Sequence, residues 1–378
     1  MTSPLNVLCV FGTRPDAIKM APVVKALKQN PDIFHPKVLV TGQHREQLDQ
    51  VLHAFNIVPD YDLGIMQHGQ TLTQITIRVL EGLEKVLSNE RASTLLAQGD
   101  TTTTFAAALA AFYRKIPFGH VEAGLRTDNI YNPFPEEMNR RLAGVIATFH
   151  FAPTEQARDN LLRENIPANR IWLTGNTGID ALHSIASTEF DTDEEPLHSI
   201  LHSRSRLVLI TAHRRENWGE SLERICYAIA DLAREFKDCI FVYAMHKNPV
   251  VRKTAKTILG DLERVHLIEP PEYVPFVKLM QRSYLILTDS GGVQEEAPSF
   301  KVPTLVLRTT TERPEGIDAG AAKLVGVDRQ RIVSEARILL TDTEKHNKMS
   351  CSANPYGDGK AAERIRSVLQ RELFNDGV

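Results

Sequence analysis

Carboxylates recur in this sequence where an apolar run gives way to turn residues. Gln98-Gly-Asp-Thr-Thr-Thr-Thr104 places Asp100 behind one such run, and Glu122-Ala-Gly-Leu-Arg126 places Glu122 and a guanidinium behind a second. Glu136-Glu137 follows Pro133-Phe-Pro135 at the opening of a helix. Asp100 could be a plain N-cap, and one acid of the Glu136-Glu137 pair could simply complement a helix dipole. Three carboxylates on one edge exceed what capping requires, and such a group suits acid–base chemistry. Gly12-Thr-Arg-Pro-Asp16 follows the first apolar run. There Gly12 permits a tight turn and Pro15 suits a helix start. Arg14 and Lys19 stand near free helical amides, where an anion is favoured. The plainer reading of these two is a solvated basic pair.

The second half contributes cations and a cradle. Thr211-Ala-His-Arg-Arg-Glu216 and His246-Lys247 each follow a strand-like run. In Thr288-Asp-Ser-Gly-Gly-Val-Gln-Glu-Glu296 a strand ends, two glycines allow close backbone approach, and a helix begins with Ser290 as a donor. That geometry suits a diphosphate, and Glu296 further along could accept from both hydroxyls of a ribose. Arg313 adds a cation in the polar Thr309–Glu315 loop. No GxGxxG follows the first strand, and no GxxxxGK[ST], HExxH or GxSxG is present, so a dinucleotide fingerprint and a P-loop lack support. His213 and His246 have no partners at metal-ligand spacing, so the expectation is no metal and no cofactor. Acids in one half and a diphosphate cradle in the other point to a nucleotide-sugar enzyme.

The elements that must position these groups alternate along the chain. Strand-like runs fall at Asn6–Phe11, Lys37–Thr41, Thr94–Ala97, Phe118–Val121 and Thr148–Ala152, with helical spacing between them at Pro15–Gln29, Gln43–Phe55, Thr71–Leu87 and Thr101–Arg114. Continuous apolar strands separated by helices indicate an α/β fold with a parallel sheet covered on both faces. Ser187–Ser205 is acidic, then Ser/His-rich, and reads as a hinge. The alternation restarts at Leu207–Thr211 and continues through Ile240–Ala244, His266–Ile268, Tyr284–Thr288 and Thr304–Leu307. The expected domains are therefore 1–186 and 206–357, joined by 187–205, with a ligand in the cleft between them. With 378 residues, 44 Lys and Arg against 47 Asp and Glu, and a net charge of −3, the chain is no typical nucleic-acid binder. Its apolar stretches fall short of the ~20 residues that span a bilayer. Four scattered cysteines suggest neither disulfides nor zinc, and the chain reads as cytoplasmic.

Taken in order, Phe11-Gly-Thr-Arg-Pro, Ala17-Ile-Lys19, Gln43-His-Arg, Gly99-Asp-Thr, Val121-Glu-Ala-Gly-Leu-Arg, Pro135-Glu-Glu-Met-Asn-Arg, His213-Arg-Arg-Glu-Asn, Asp289-Ser-Gly-Gly and Thr311-Glu-Arg-Pro-Glu closely resemble the non-hydrolysing bacterial UDP-N-acetylglucosamine 2-epimerases. The resemblance implies two Rossmann-like, doubly wound domains facing across a cleft (GT-B-like), a final helix at about 358–378 that returns to the first domain, and a homodimer. It implies reversible interconversion of UDP-GlcNAc and UDP-ManNAc. Nucleotide contacts would fall on Arg14, the segment from Pro271 to Phe276, Ser290, Gly291, Gly292 and Glu296. Catalytic-site polar groups would fall on Lys19, Asp100, Glu122, Glu136, His213 and Arg313. Gln43, His44, Gln70, Arg214 and His246 match a second, activating UDP-GlcNAc site of many members. Gly69 and Glu46 stand where activator-binding members carry Arg and Gln, which removes charge-assisted hydrogen bonds.

That reaction explains the residue types. The C2 proton lies next to no carbonyl, so UDP must leave first, with Arg14, His213, Arg313 and the 290–292 amides stabilising its growing charge. A carboxylate then takes the C2 proton to give 2-acetamidoglucal. Asp100, Glu122 and Glu136 are the acid–base candidates, with the assignment of base and acid open. The rivals are a hydrolysing 2-epimerase that releases ManNAc, a GT-B glycosyltransferase, and a silent nucleotide-sugar-binding regulator.

Overall fold

The structure is a computed structural model that describes residues 3–42, 45–67, 69–311 and 313–375. Gln43 and His44 of the second-site expectation lie outside the described residues. Contacts divide the chain into two units, 1–184 with 357–378, and 185–356.

The first unit holds a seven-stranded sheet. Its strands are β1 (Leu5–Phe11), β2 (Phe34–Val40), β3 (Tyr61–Asp62), β4 (Thr94–Gln98), β5 (Phe118–Val121), β6 (Phe149–Ala152) and β7 (Ile171–Leu173), in the order β3-β2-β1-β4-β5-β6-β7. Every pairing is parallel. The β4 and β5 strands are buried throughout, as unbroken apolar runs between two helical layers must be. On one face, Val23, Val24 and Leu27 of the helix Arg14–Lys28 share a core with Ala362, Ile365, Val368 and Leu369 of the final helix Ala361–Asn375. On the other, the helices Leu72–Asn89, Thr102–Tyr113 and Glu136–Ile146 cover the sheet through Val79, Leu83, Ala107, Ala111 and Ala143.

The second unit repeats the plan with six strands: β8 (Arg206–Thr211), β9 (Cys239–Ala244), β10 (Val265–Ile268), β11 (Ser283–Thr288), β12 (Thr304–Val306) and β13 (Ala322–Leu324). The order is β10-β9-β8-β11-β12-β13, again all parallel. Both sheets thus reverse direction beside their own first strand, which makes each unit doubly wound and Rossmann-like. The pair is of the GT-B-like fold class. A topological switch point, where the loops after the first and fourth strands diverge, is the ligand edge of such a sheet. Three strands escape the sequence pattern, β3, β7 and β13, which are edge strands of two or three residues. The 187–205 span is not bare connection: Leu197–His202 is helical within it, and Lys278 Nζ donates to the carbonyls of Ala186 and Thr188 at 2.8 and 2.6 Å. Among the described residues no helix is long and apolar enough to cross a membrane.

Candidate active site

At the switch point of the first sheet, the loops after β1 and β4 are tied together by Asp16. Its Oδ2 accepts from the Gly12 and Thr13 amides at 3.3 and 3.2 Å and from Thr101 Oγ1 at 3.3 Å. Burial pushes this carboxyl up to about 6, against the opposing pull of its hydrogen bonds. A side chain at Gly12 would collide with Thr41 Oγ1 and Thr103 Oγ1, since an ideal Cβ lies 2.1 and 2.7 Å from them. Glycine there is a packing requirement. Arg14 and Lys19 are half-buried on the helix that follows.

The acids gather along the same edge. Thr101, not Asp100, caps the helix Thr102–Tyr113, its side chain accepting from the Thr104 amide. The plain capping reading of Asp100 therefore falls, because the helix begins one residue too late for it. Asp100 instead receives Arg140 Nη2 on its carboxylate, while Asn139 Nδ2 donates to its carbonyl at 3.0 Å. Glu122 accepts from Lys19 Nζ on one oxygen and from Gln98 Nε2 on the other. It sits at φ +65, a left-handed conformation that costs a non-glycine residue and persists where surroundings over-determine it. Lys19 is expected from the sequence; Gln98 and Arg140 are not. Gln98 left a trace, a polar residue ending an apolar strand.

The Glu136-Glu137 pair divides. Glu137 is fully buried and structural, bound by Arg141 Nε at 2.9 Å, Arg140 Nη1 at 3.4 Å and the Thr127 amide at 3.1 Å. Glu136 is half-buried at the first position of its helix and forms no ion pair among the described residues. Arg126 turns away to chelate both oxygens of Glu164 at 2.7 and 2.6 Å, so it is a brace.

In the second unit the switch-point loops are again joined by a buried aspartate. Asp289 Oδ2 accepts from the amides of His213 and Arg214, both at 2.8 Å, and from Asn217 Nδ2 at 2.9 Å. Its Oδ1 faces His213 Nδ1 at 3.5 Å. The His213 ring is stacked on His246 with centroids 5.4 Å apart. Burial holds His213 below the usual imidazole range; the Asp289 carboxylate pulls it up, while His246 and Arg214 push it down. Trp218 Nε1 braces the His213 carbonyl at 3.2 Å.

Ser290 precedes the helix Gly291–Glu296, and its side chain makes no capping bond. A Cβ at Gly291 would touch only Arg214 Nη2, at 3.7 Å, and one at Gly292 only Ser290 Oγ, at 4.0 Å. Nothing in the protein's own packing needs these glycines. Arg313 is joined to the buried Glu295, a partner the sequence does not reveal, and Glu296 is half-buried at the helix end. Pro271 follows β10, just before the helix Tyr273–Arg282 that carries Phe276. His213, His246, Pro271, Ser290 and Arg313 therefore follow β8 to β12 in turn, at the carboxyl ends of successive strands. Of the second-site residues, Gln70 lies in the first unit, accepting from Arg78 Nη1 at 2.7 Å, while Arg214 and His246 lie in the second.

The family model described as UDP-N-acetylglucosamine 2-epimerase matches residues 25–370. The chain belongs to the UDP-N-acetylglucosamine 2-epimerase family. Among its relatives, the UDP-N-acetylglucosamine 2-epimerase of Escherichia coli K12 is 53% identical over 98% of this chain and 100% of its own length. A crystal structure of a putative UDP-N-acetylglucosamine 2-epimerase from Listeria monocytogenes superposes with a TM-score of 0.93 at 50% identity, covering 98% of this chain and 97% of that one. The Neisseria meningitidis UDP-GlcNAc 2-epimerase bound to UDP-GlcNAc gives 0.86 at 50% identity, covering 97% and 100%. Membership of the 2-epimerase family makes this chain an isomerase, and it separates the chain from the glycosyltransferases and from a silent regulator.

Proposed function

We propose that the protein interconverts UDP-GlcNAc and UDP-ManNAc without hydrolysis, by eliminating UDP and adding it back. The observation that carries this reading is the pairing of Glu122 with Lys19 and Gln98, and of Asp100 with Arg140, on the switch-point edge of a 2-epimerase. Carboxylates fixed at the ligand edge of the sheet are groups able to take and return a proton.

The anomeric C–O bond breaks first, and its electron pair leaves with UDP. Arg14, neutral His213, Arg313 and the Gly291 and Gly292 amides stabilise the departing diphosphate, while the Ser290 amide donates to Thr288 Oγ1 at 2.9 Å. The oxocarbenium-like ring acidifies C2, and Asp100 or Glu122 takes that proton, so the C2–H electrons become the C1=C2 double bond of 2-acetamidoglucal. Glu136, which no cation neutralises among the described residues, returns a proton to C2 from the other face while a UDP oxygen re-forms the bond to C1. Glu296 accepts from the ribose hydroxyls, the Pro271 carbonyl accepts from the uracil imide, and Phe276 packs beside the base. No hydride moves, so no nicotinamide enters. An activating UDP-GlcNAc would have to rely on Gln43, His44, Arg214 and His246, since Gln70 is engaged by Arg78 and position 69 is glycine.

The homodimer belongs to the same proposal. Phe112 and Tyr113 end one helix, and Leu142 and Val145 lie on its neighbour, all exposed, Val145 by 80%. Such a patch on a monomer marks an interaction surface. The product would feed bacterial surface polysaccharide synthesis in the cytoplasm.

The test is incubation with UDP-GlcNAc in heavy water. Elimination and re-addition put deuterium at C2 of both UDP-sugars and scramble the glycosidic oxygen among its neighbours on the β-phosphate. Free ManNAc rising in step with UDP would instead assign the hydrolysing reaction, and isomerisation without C2 exchange would end the elimination mechanism.

A further inference from the structure

The Ser/His-rich span carries two histidines that the epimerase chemistry does not use. His198 and His202 are four residues apart on the helix Leu197–His202, which puts their side chains on one face. Their rings lie 4.3 Å apart, and Asp191 joins them: one donor atom from each of the three residues lies within 4.8 Å of the others. Asp191 Oδ1 is 3.9 Å from His202 Nε2 and 3.9 Å from His198 Nδ1.

We propose that Asp191, His198 and His202 form a binding site for a borderline divalent ion of the zinc class, separate from the residues of the epimerase reaction. Beyond proximity, the case rests on how the donors are oriented. His198 Nδ1 donates to the Thr192 carbonyl at 2.8 Å, and His202 Nδ1 donates to the His198 carbonyl at 3.0 Å. A carbonyl can only accept, so each neutral ring keeps its lone pair on Nε2. Metal-ligating histidines are usually oriented in this way, by a backbone or carboxylate acceptor on the other nitrogen. Asp191 Oδ1 is itself fixed by the Thr192 amide at 2.8 Å. Two imidazoles and one carboxylate are a common protein contribution to four-coordinate zinc, with water in the fourth place.

Metal–ligand bonds of about 2.0–2.1 Å call for donors closer together than they stand here, with His198 Nε2 in place of the Nδ1 that now lies nearest Asp191; movement of the exposed Asp191 and His202 and the half-buried His198 supplies the difference. The ion would cross-link the coil at 191 to a helix of six residues, which is too short to hold by its own hydrogen bonds. The expected outcome is a clip that stiffens the start of the second unit.

Chelator-treated full-length protein titrated with zinc chloride in a calorimeter should show a site of one ion per chain. The double variant H198N/H202N should bind that ion at least about tenfold more weakly, since even the loss of an outer-shell partner costs roughly 10–100-fold. Asp191→Asn should weaken it less, because an amide oxygen can still reach the ion. Cobalt(II) in place of zinc gives an absorption band in the wild type that the double variant loses, and circular dichroism confirms that the variant is folded. Zinc bound equally well by the double variant, or lost instead in H213N/H246N, would overturn the proposal. So would a wild-type chain that binds no zinc.

Discussion

In the first unit the buried aspartate at the switch point, Asp16, sits on the helix after the first strand and reaches over to Thr101 beyond the fourth. In the second, Asp289 sits beyond the fourth strand and reaches back to the amides of His213 and Arg214 beyond the first. The same strand order is closed from opposite sides. What surrounds the closures differs more. At Gly12 the protein itself fills the space a side chain would need, whereas at Gly291 the space is left open. The first edge then carries paired carboxylates, and the second carries an open glycine pair with histidines and arginines. In the proposed reaction one edge moves protons and the other receives an anion, although both arise from one topology.

The strongest way to break this contrast is to remove the acids. Asp100→Asn and Glu122→Gln should each lower turnover by about 10²-fold or more, the range expected when proton transfer is lost. Both variants should keep their UDP affinity by calorimetry, because the contacts assigned to the nucleotide are Arg14 and residues of the second unit, not these acids. Loss of UDP binding in either variant, with turnover per bound substrate unchanged, would put the proton chemistry elsewhere.

The two glycines sharpen the comparison directly. Gly291→Val should weaken UDP binding by tenfold or more with little change in melting temperature, since a Cβ there meets the protein only at 3.7 Å. Gly12→Ala should do the reverse, costing about 1–3 kcal/mol of stability by overpacking against Thr41 and Thr103. Thermal melts and UDP titrations on the pair decide it; a destabilised Gly291→Val would make that glycine structural too.

Much of this was legible in the sequence because a doubly wound sheet writes its strands as unbroken apolar runs. Phe118–Val121 appears with the bounds its residues suggest. The edge strands β3, β7 and β13 are too short to leave a pattern. The loops bearing Asp100, Glu122 and Ser290 declared themselves because they follow such runs. The partners did not: Arg140 lies 40 positions from Asp100 and Gln98 lies 24 from Glu122, and which guanidinium meets which acid is decided by side-chain packing. Arg126 stands in the same motif as Glu122, yet it braces Glu164. His198 and His202 have helical spacing, but Asp191 joins them only through the fold.

His213 offers a smaller test of the second edge. Asp289 pulls its titration upward against burial. Asp289→Asn retains an oxygen for the amides of His213 and Arg214 while removing the charge. The His213 ring signals in NMR should titrate below the ordinary imidazole range in the wild type and lower still in Asp289→Asn. An upward movement would mean that Asp289 does not act on the ring.

The last test concerns Asp16, the matching residue of the first edge. Its carboxyl is raised to about 6 in the folded state by burial, against an ordinary value of 3.8. A group raised on folding binds its proton more tightly in the native chain, so its contribution favours the fold at low pH and fades as pH rises through 6. Acid therefore relieves a cost that this buried carboxylate imposes at neutral pH. Asp16→Asn keeps an oxygen for the Gly12 and Thr13 amides and carries no charge at any pH. Denaturant unfolding of wild type and variant at several pH values isolates the term: the wild type should gain on the variant as pH falls from about 6 toward 4, by up to about 3 kcal/mol at roughly 1.4 per unit. Parallel stability curves would mean that Asp16 is solvated in the native protein, and the Thr101 contact would then have to hold the two loops together without a buried charge.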